Sequence, residues 1–62
     1  MKRWQINFLR RATEHEIAHA PGDRGPRPET IHIDARSKTA AQRAGREYAR
    51  HRGWRLMDIR EL

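Results

Sequence analysis

The sequence predicts a single α+β domain over residues 1–62, with one helix packed on one face of a small antiparallel sheet of three or four strands. Two observations lead to this fold class. Short segments in which apolar and polar residues alternate stand near the start, in the middle and at the end of the chain, as half-buried strands require. The last two of these segments are separated by a longer one with helical periodicity, which has a capping residue before it and a glycine after it.

The first predicted strand covers residues 4–8, where alternation places three apolar side chains on one face: Trp4, Ile6 and Phe8. Residues 21–28 hold all three prolines and two of the four glycines, so they are predicted to form an exposed loop. Residues 30–34 form another predicted strand, with its two isoleucines directed inward and His32 directed outward.

Residues 10–20 are compatible with two structures. Both histidines of this segment alternate with Ile17 as in a strand, whereas Thr13 and Glu16 have the spacing of a capping box that begins a short helix. We expect the strand, so the predicted element order is β-(β)-β-α-β.

The predicted helix begins at Ser37 as N-cap, or at Thr39 with Gln42 three residues later, and it ends at Gly53, which suits a left-handed C-terminal conformation. On a helical wheel, small residues and one aromatic residue share a face that is expected to pack on the sheet: Ala40, Ala41, Ala44, Gly45 and Tyr48. The opposite face carries three arginines spaced three and four residues apart, here called the arginine ridge: Arg43, Arg46 and Arg50.

Residues 54–59 form the last predicted strand, but Trp54 and Leu56 would point to one side of it and Met57 and Ile59 to the other. Either a bulge realigns these side chains or both faces of the strand are covered. The predicted core consists of Trp4, Ile6, Phe8, Ile31, Ile33, Ala41, Ala44, Tyr48, Trp54, Leu56 and Ile59. Because one helix covers only one face, the far side of the sheet is expected to stay partly apolar, which is typical of a partner site.

Positive charge is concentrated in residues 36–55, which hold seven basic residues against one acid, Glu47, whereas the rest of the chain carries seven of each sign. A focused positive field attracts phosphates and acidic surfaces. The candidate surface for nucleic acid or an acidic partner consists of Arg36, Lys38, Arg43, Arg46, Arg50 and Arg55. A basic face can also serve solubility alone, and Arg43 and Arg50 can each pair with Glu47, so both of these alternatives stay open.

The chain is short and contains no cysteine, so neither disulfides nor thiolate zinc sites can reinforce its core. A domain of this size buries only roughly 60% of the surface that its unfolded chain exposes, and we therefore expect a partner or a homodimer, the latter through the apolar side of the sheet. No hydrophobic run approaches membrane-spanning or signal-peptide length. The protein is expected to be cytoplasmic, with no membrane partner and no cofactor.

One short motif matches known zinc chemistry. His15 and His19 lie four residues apart, with Glu16 between them, as in the helix of zinc metallopeptidases where two histidines bind the metal and the glutamate activates its water. The third-ligand position of the extended motif is occupied by Gly25, so another histidine would have to replace it. Because the segment is short, polar and followed by a proline, we expect a chance match and no enzyme.

The end of the predicted strand 30–34 and the start of the helix carry an inward isoleucine, an acid, an alanine, a capping serine and an inward alanine: Ile33, Asp34, Ala35, Ser37 and Ala41. In this respect residues 30–59 resemble the strand, serine-capped helix and strand unit of small phage-encoded accessory proteins, among them a type I-F anti-CRISPR family. The resemblance implies a non-enzymatic inhibitor that docks on a nucleoprotein complex through its basic surface.

Together, these features indicate a non-enzymatic basic binding module of phage or mobile-element type. Its helix face is expected to meet nucleic-acid phosphates or an acidic groove of a nucleoprotein complex, without reading sequence. The alternatives are a dimeric protein-interaction module and a minimal zinc hydrolase.

Overall fold

The computed structural model describes the whole chain except residues 21 and 23. The described residues form three strands and two helices in the order β1 (Lys2–Arg10), α1 (Glu14–His19), β2 (Arg27–Ala35), α2 (Lys38–Arg52) and β3 (Arg55–Glu61). The strands make one sheet in the order β2-β1-β3, and both outer strands run antiparallel to β1. This arrangement confirms the predicted α+β class. Neither helix of the described residues is long and apolar enough to cross a membrane.

The central strand, β1, supplies the middle of the core. Three of its apolar side chains are almost completely buried, as the alternation predicted: Trp4, Ile6 and Phe8. Partly buried side chains from the outer strands pack beside them: Ile31, Ile33, Leu56 and Ile59. The Trp4 indole N–H donates a 3.1 Å hydrogen bond to the Ala35 carbonyl, which gives a buried polar group the partner that it needs.

Residues 10–20 do not form a fourth strand, and the prediction of a strand there is wrong. They form the short helix α1, which begins with the capping box that was the alternative. The Thr13 hydroxyl accepts a 3.2 Å hydrogen bond from the Glu16 amide, and the Glu16 carboxylate accepts a 2.8 Å bond from the Thr13 amide. Helix α1 buries none of its residues, so local capping and ion pairs, not core packing, hold it in place.

The strand β2 is longer than predicted. Residues 21–28 were expected to be a loop, and two of them, 21 and 23, lie outside the described residues. Residues 27 and 28 belong to β2, where Arg27 pairs with Arg10 and Pro28 with Leu9, so the loop prediction is wrong for them. A proline is tolerated at this position because β2 is an edge strand, in which an amide can be missing on the outer side.

Both predicted ends of α2 are confirmed. The Ser37 hydroxyl accepts a 3.2 Å hydrogen bond from the Ala40 amide, so Ser37 and not Thr39 is the N-cap. At the other end Gly53 has a φ of 68°, the left-handed conformation that glycine adopts without steric cost.

The buried face of α2 consists of three small residues on successive turns: Ala41, Gly45 and Ala49. Ala40 and Ala44 are exposed, so their predicted inward positions, and the place of Ala44 in the core, are wrong. Relative to Ala41 and Gly45 alone, Ala44 and Ala49 lie on opposite sides of the wheel at comparable angles. Ala49 packs in one cluster with Ile6 and Phe8, and this contact decides the rotation of the helix.

The strand β3 contains a bulge, which was one of the two alternatives for this segment. Its register to β1 shifts between Asn7 and Phe8, so Met57 is an extra residue on β3. The bulge brings Leu56 and Ile59 to the same face, where both pack on the core. Met57 is left 51% exposed.

The sheet face opposite α2 is mainly polar, and the prediction of a partly apolar surface there is wrong. The register places on this face Arg3, Gln5, Asn7, Leu9, Pro28, Thr30, His32, Asp34, Arg55, Asp58 and Arg60. The Asn7 amide donates a hydrogen bond to Asp58, and its carbonyl oxygen accepts a 2.8 Å bond from the Thr30 hydroxyl. A homodimer stays a prediction, but the apolar sheet face that was its expected basis is missing among the described residues.

Replacing Gly45 by leucine should destabilise the protein, because a Cβ atom at this position would already lie 3.2 Å from two side-chain carbons of Ile6. Overpacking of this kind costs about 1–3 kcal/mol, which urea denaturation measures. The matched control is Ala44→Leu, one residue earlier and exposed, for which a change within about 0.5 kcal/mol is expected. Equal losses in the two variants would contradict the packing described above.

Candidate nucleic-acid interface

The arginine ridge lies on the face of α2 that is turned away from the sheet. Because the small residues of the helix contact the sheet, side chains about half a turn away point to solvent, and Arg43, Arg46 and Arg50 are all exposed. Along the helix axis the ridge extends about 10 Å at 1.5 Å per residue. One strand of a DNA duplex places about three phosphates over that axial length, so the spacing suits a polyanion.

The only acid on α2, Glu47, takes up part of this charge. Its carboxylate accepts a 3.0 Å hydrogen bond from the Arg50 guanidinium, and the His51 Nε2 atom lies 3.7 Å from it. The predicted pairing with Arg50 is confirmed, whereas Arg43 forms no ion pair in the described part of the chain. The Arg50 and Glu47 side chains are 73% and 54% exposed, so their pair contributes little to stability and leaves Arg50 able to exchange partners.

Arg52 has a structural role that the sequence did not predict. Its guanidinium carbon lies 3.5 Å from the centre of the Tyr48 ring, a cation–π contact that covers one face of this ring. Tyr48 in turn stacks on Phe8, with ring centres 5.6 Å apart. The spacing of four residues between Tyr48 and Arg52 on one helix was the available signal.

The other predicted site residues do not all join the ridge. Arg36 is exposed in the turn before α2, and Lys38 is the first residue of the helix, where it lines a groove with Arg46 and Met57 between α2 and β3. Arg55 lies beyond the far end of α2, which is about 22 Å long at 1.5 Å per residue. Of the six predicted residues, four therefore lie on α2, Arg36 lies just before it, and Arg55 belongs to another part of the surface.

A second group of arginines surrounds a groove where β1 ends and β3 begins: Arg10, Arg11, Arg24 and Arg55. The groove has a volume of about 590 Å³. Arg10, Arg11 and Arg24 lie in the part of the sequence whose charges cancel, whereas Arg55 ends the basic segment 36–55, so counting charge along the sequence does not group the four. Only the fold brings them together.

Arg10 is engaged by two acids. Its guanidinium donates hydrogen bonds of 2.7 and 3.0 Å to the two carboxylate oxygens of Glu16, and one of 2.8 Å to Glu29. The bonds to Glu16 and Glu29 raise the pKa of Arg10 further above its ordinary value. The bond from Arg10, followed by that from the Thr13 amide, lowers the pKa of Glu16 to about 2.

The histidine motif has the helical geometry that its spacing requires, with the His15 and His19 rings 4.2 Å apart between their centres. Glu16, however, is held by Arg10 and by the Thr13 amide, so its carboxylate is a weak base that faces its own structural partners. Among the described residues no group of three histidine, aspartate or glutamate side chains lies close enough to hold one metal ion. The minimal zinc hydrolase stays a prediction without a third ligand in this part of the chain.

The chain was compared with protein-family models, with curated proteins and with solved structures, and none of them matches it. The resemblance to small phage-encoded accessory proteins therefore stays a prediction.

Acid should destabilise the protein through Glu16. Because the folded-state pKa of this carboxyl is lowered from 4.5 to about 2, its contribution is present above about pH 4.5 and is lost as the pH falls towards 2. Glu16→Gln should lower the melting temperature at neutral pH and flatten its dependence on pH over this range, as measured by circular dichroism.

The matched control for this experiment is Glu14→Gln on the same helix. Glu14 is exposed and takes no part in the Thr13 capping box or the Arg10 ion pair, so its variant should keep the acid dependence of the unmodified protein. Parallel curves for Glu16→Gln and the unmodified protein would show that the Arg10–Glu16 pair does not control the acid response.

Proposed function

We propose that the chain is a non-enzymatic basic module that binds the phosphate backbone of nucleic acid through the outward face of α2. The observation that carries the proposal is the state of Arg43 and Arg46. Both are exposed on a helix that is capped at each end and packed on the sheet, and in the described residues neither has an ion-pair partner. Such guanidinium groups are free to form bidentate hydrogen bonds with phosphate.

The rest of the fold favours electrostatic binding over the reading of bases. Two aromatic residues of the central strand, Trp4 and Phe8, lie in the core on the α2 side of the sheet, so the open face offers no aromatic platform from β1 on which bases could stack. The ridge presents charge at regular intervals instead. Contacts of this kind position a protein on a backbone without specifying sequence, and we place the activity in the cytoplasm.

The resemblance to phage accessory proteins extends this proposal. If it is correct, the same face of α2 docks on a nucleoprotein complex and inhibits it, and the phosphates that it meets belong to the nucleic acid of that complex. The α2 face would then bind phosphates as proposed above, and inhibition of the complex would have to be measured separately.

The dependence of affinity on salt tests the phosphate contacts directly. Three arginines on duplex phosphates should give a log–log slope of about −2.7, since each neutralised phosphate contributes about 0.9. The double variant Arg43→Gln, Arg46→Gln should weaken binding to duplexes of different sequence alike and reduce the slope by about 2. Fluorescence anisotropy with a labelled duplex measures both quantities.

The matched control is the double variant Arg3→Gln, Arg60→Gln, which removes the same charge from the open sheet face. It should keep most of the affinity and the slope of the unmodified protein. If both double variants lose affinity equally, net charge and not the α2 face is responsible, and the proposal is wrong. A slope near zero for the unmodified protein would overturn it as well.

A further inference from the structure

The groove at the junction of β1, α1 and β3 combines an apolar lining with cationic edges. Five apolar side chains contribute to its lining: Leu9, Ala12, Ile17, Pro26 and Trp54. Its volume of about 590 Å³ lies in the range of small-molecule sites, which are concave, mostly apolar and marked by a few polar groups. None of the ridge residues on α2 belongs to it.

Trp54 is a rigid part of this lining. Its ring is steeply inclined to two others, with centres 5.6 Å from Phe8 and 5.5 Å from Tyr48. These contacts hold the indole in place from the core, while the ring itself is half-buried and borders the groove. The other tryptophan, Trp4, is buried and donates its N–H to Ala35, so only Trp54 can meet a ligand from solvent.

The cations of the groove differ in how far their charge is already balanced. Arg10 is paired with Glu16 and Glu29, so its role is to hold the neighbouring chain in place and not to bind a ligand. Its guanidinium also donates a 3.1 Å hydrogen bond to the backbone carbonyl of Arg11, which fixes the chain at that residue. Arg11 and Arg55 are exposed, and in the described part of the chain neither forms an ion pair with an acid.

A ligand that fits this groove must therefore have a flat apolar part for Trp54 and an anionic part for two guanidinium groups. We propose that the groove binds one nucleotide, with its base against Trp54 and its phosphate between Arg11 and Arg55. Guanidinium groups recognise phosphate oxygens bidentately, and any base can stack on an aromatic side chain. The nucleotide is either a free mononucleotide or the phosphorylated end of a single strand. This site does not depend on the proposed role of α2.

Fluorescence of Trp54 provides the first test. In a Trp4→Phe variant Trp54 is the only tryptophan. Its emission should change saturably as AMP is added. Excitation on the red edge of the indole absorption band avoids absorption by adenine. Adenosine lacks the phosphate and inorganic phosphate lacks the base, so each should bind at least about tenfold more weakly than AMP. An unchanged emission up to about 5 mM AMP, a concentration that reveals even a millimolar Kd, would overturn the proposal.

Calorimetry on the protein with both tryptophans provides a second test, which stands even if Trp4→Phe fails to fold. The double variant Arg11→Gln, Arg55→Gln should reduce AMP affinity about tenfold or more, whereas Arg43→Gln, Arg46→Gln should leave it unchanged. Equal losses in the two variants would show a non-specific charge effect and contradict the site.

The two sources of the nucleotide are distinguished with a short oligonucleotide. If the groove takes a strand end, a 5′-phosphorylated oligonucleotide should compete with AMP and its unphosphorylated form should not. If neither form competes while AMP binds, the groove serves free mononucleotides. Binding of AMP that survives loss of the ridge arginines would also separate this site from the proposed function of α2.

Discussion

The close approach of α2 to the central strand is the constraint on which the rest of the structure depends. Ala41, Gly45 and Ala49 leave no side chain long enough to hold the helix away from β1, and Ile6 fills the space at Gly45 so fully that an added carbon would lie 3.2 Å from it. Close packing of this kind restricts the rotation of α2 about its own axis. That rotation determines which arginines face solvent, so the chemistry of the surface follows from the packing of the core.

Much of this arrangement was predictable from local sequence signals. Alternation identified the three strands, and Ser37 and Gly53 identified the ends of α2. The signals failed where two local patterns competed, as in residues 10–20, where the capping box prevailed because Glu16 also pairs with Arg10. They failed again where tertiary contacts decide which residue is buried. A helical wheel cannot show whether Ala44 or Ala49 faces the sheet until the position of Phe8 is known.

The candidate site shows the same division. The ridge follows from helical periodicity alone, and its outward position is as predicted. The groove could not be predicted, because Arg11, Trp54 and Arg55 are brought together only when β1 and β3 pair. Counted along the sequence, the acids cancel the basic charge outside residues 36–55, yet in space Glu16 and Glu29 both bind Arg10. Charge balance along a chain is therefore a poor guide to charge balance on a surface.

The most direct test of the central claim is an NMR titration of the folded protein with a short DNA duplex, in which the side-chain Nε–H signals of the arginines are followed. The proposed function predicts that the signals of Arg43 and Arg46 shift first and furthest, while that of Arg52, which is stacked on Tyr48, moves little. Shifts confined to Arg3 and Arg60 on the open sheet face, or uniform small shifts over all arginines, would contradict the claim that the packing of α2 creates the phosphate-binding surface.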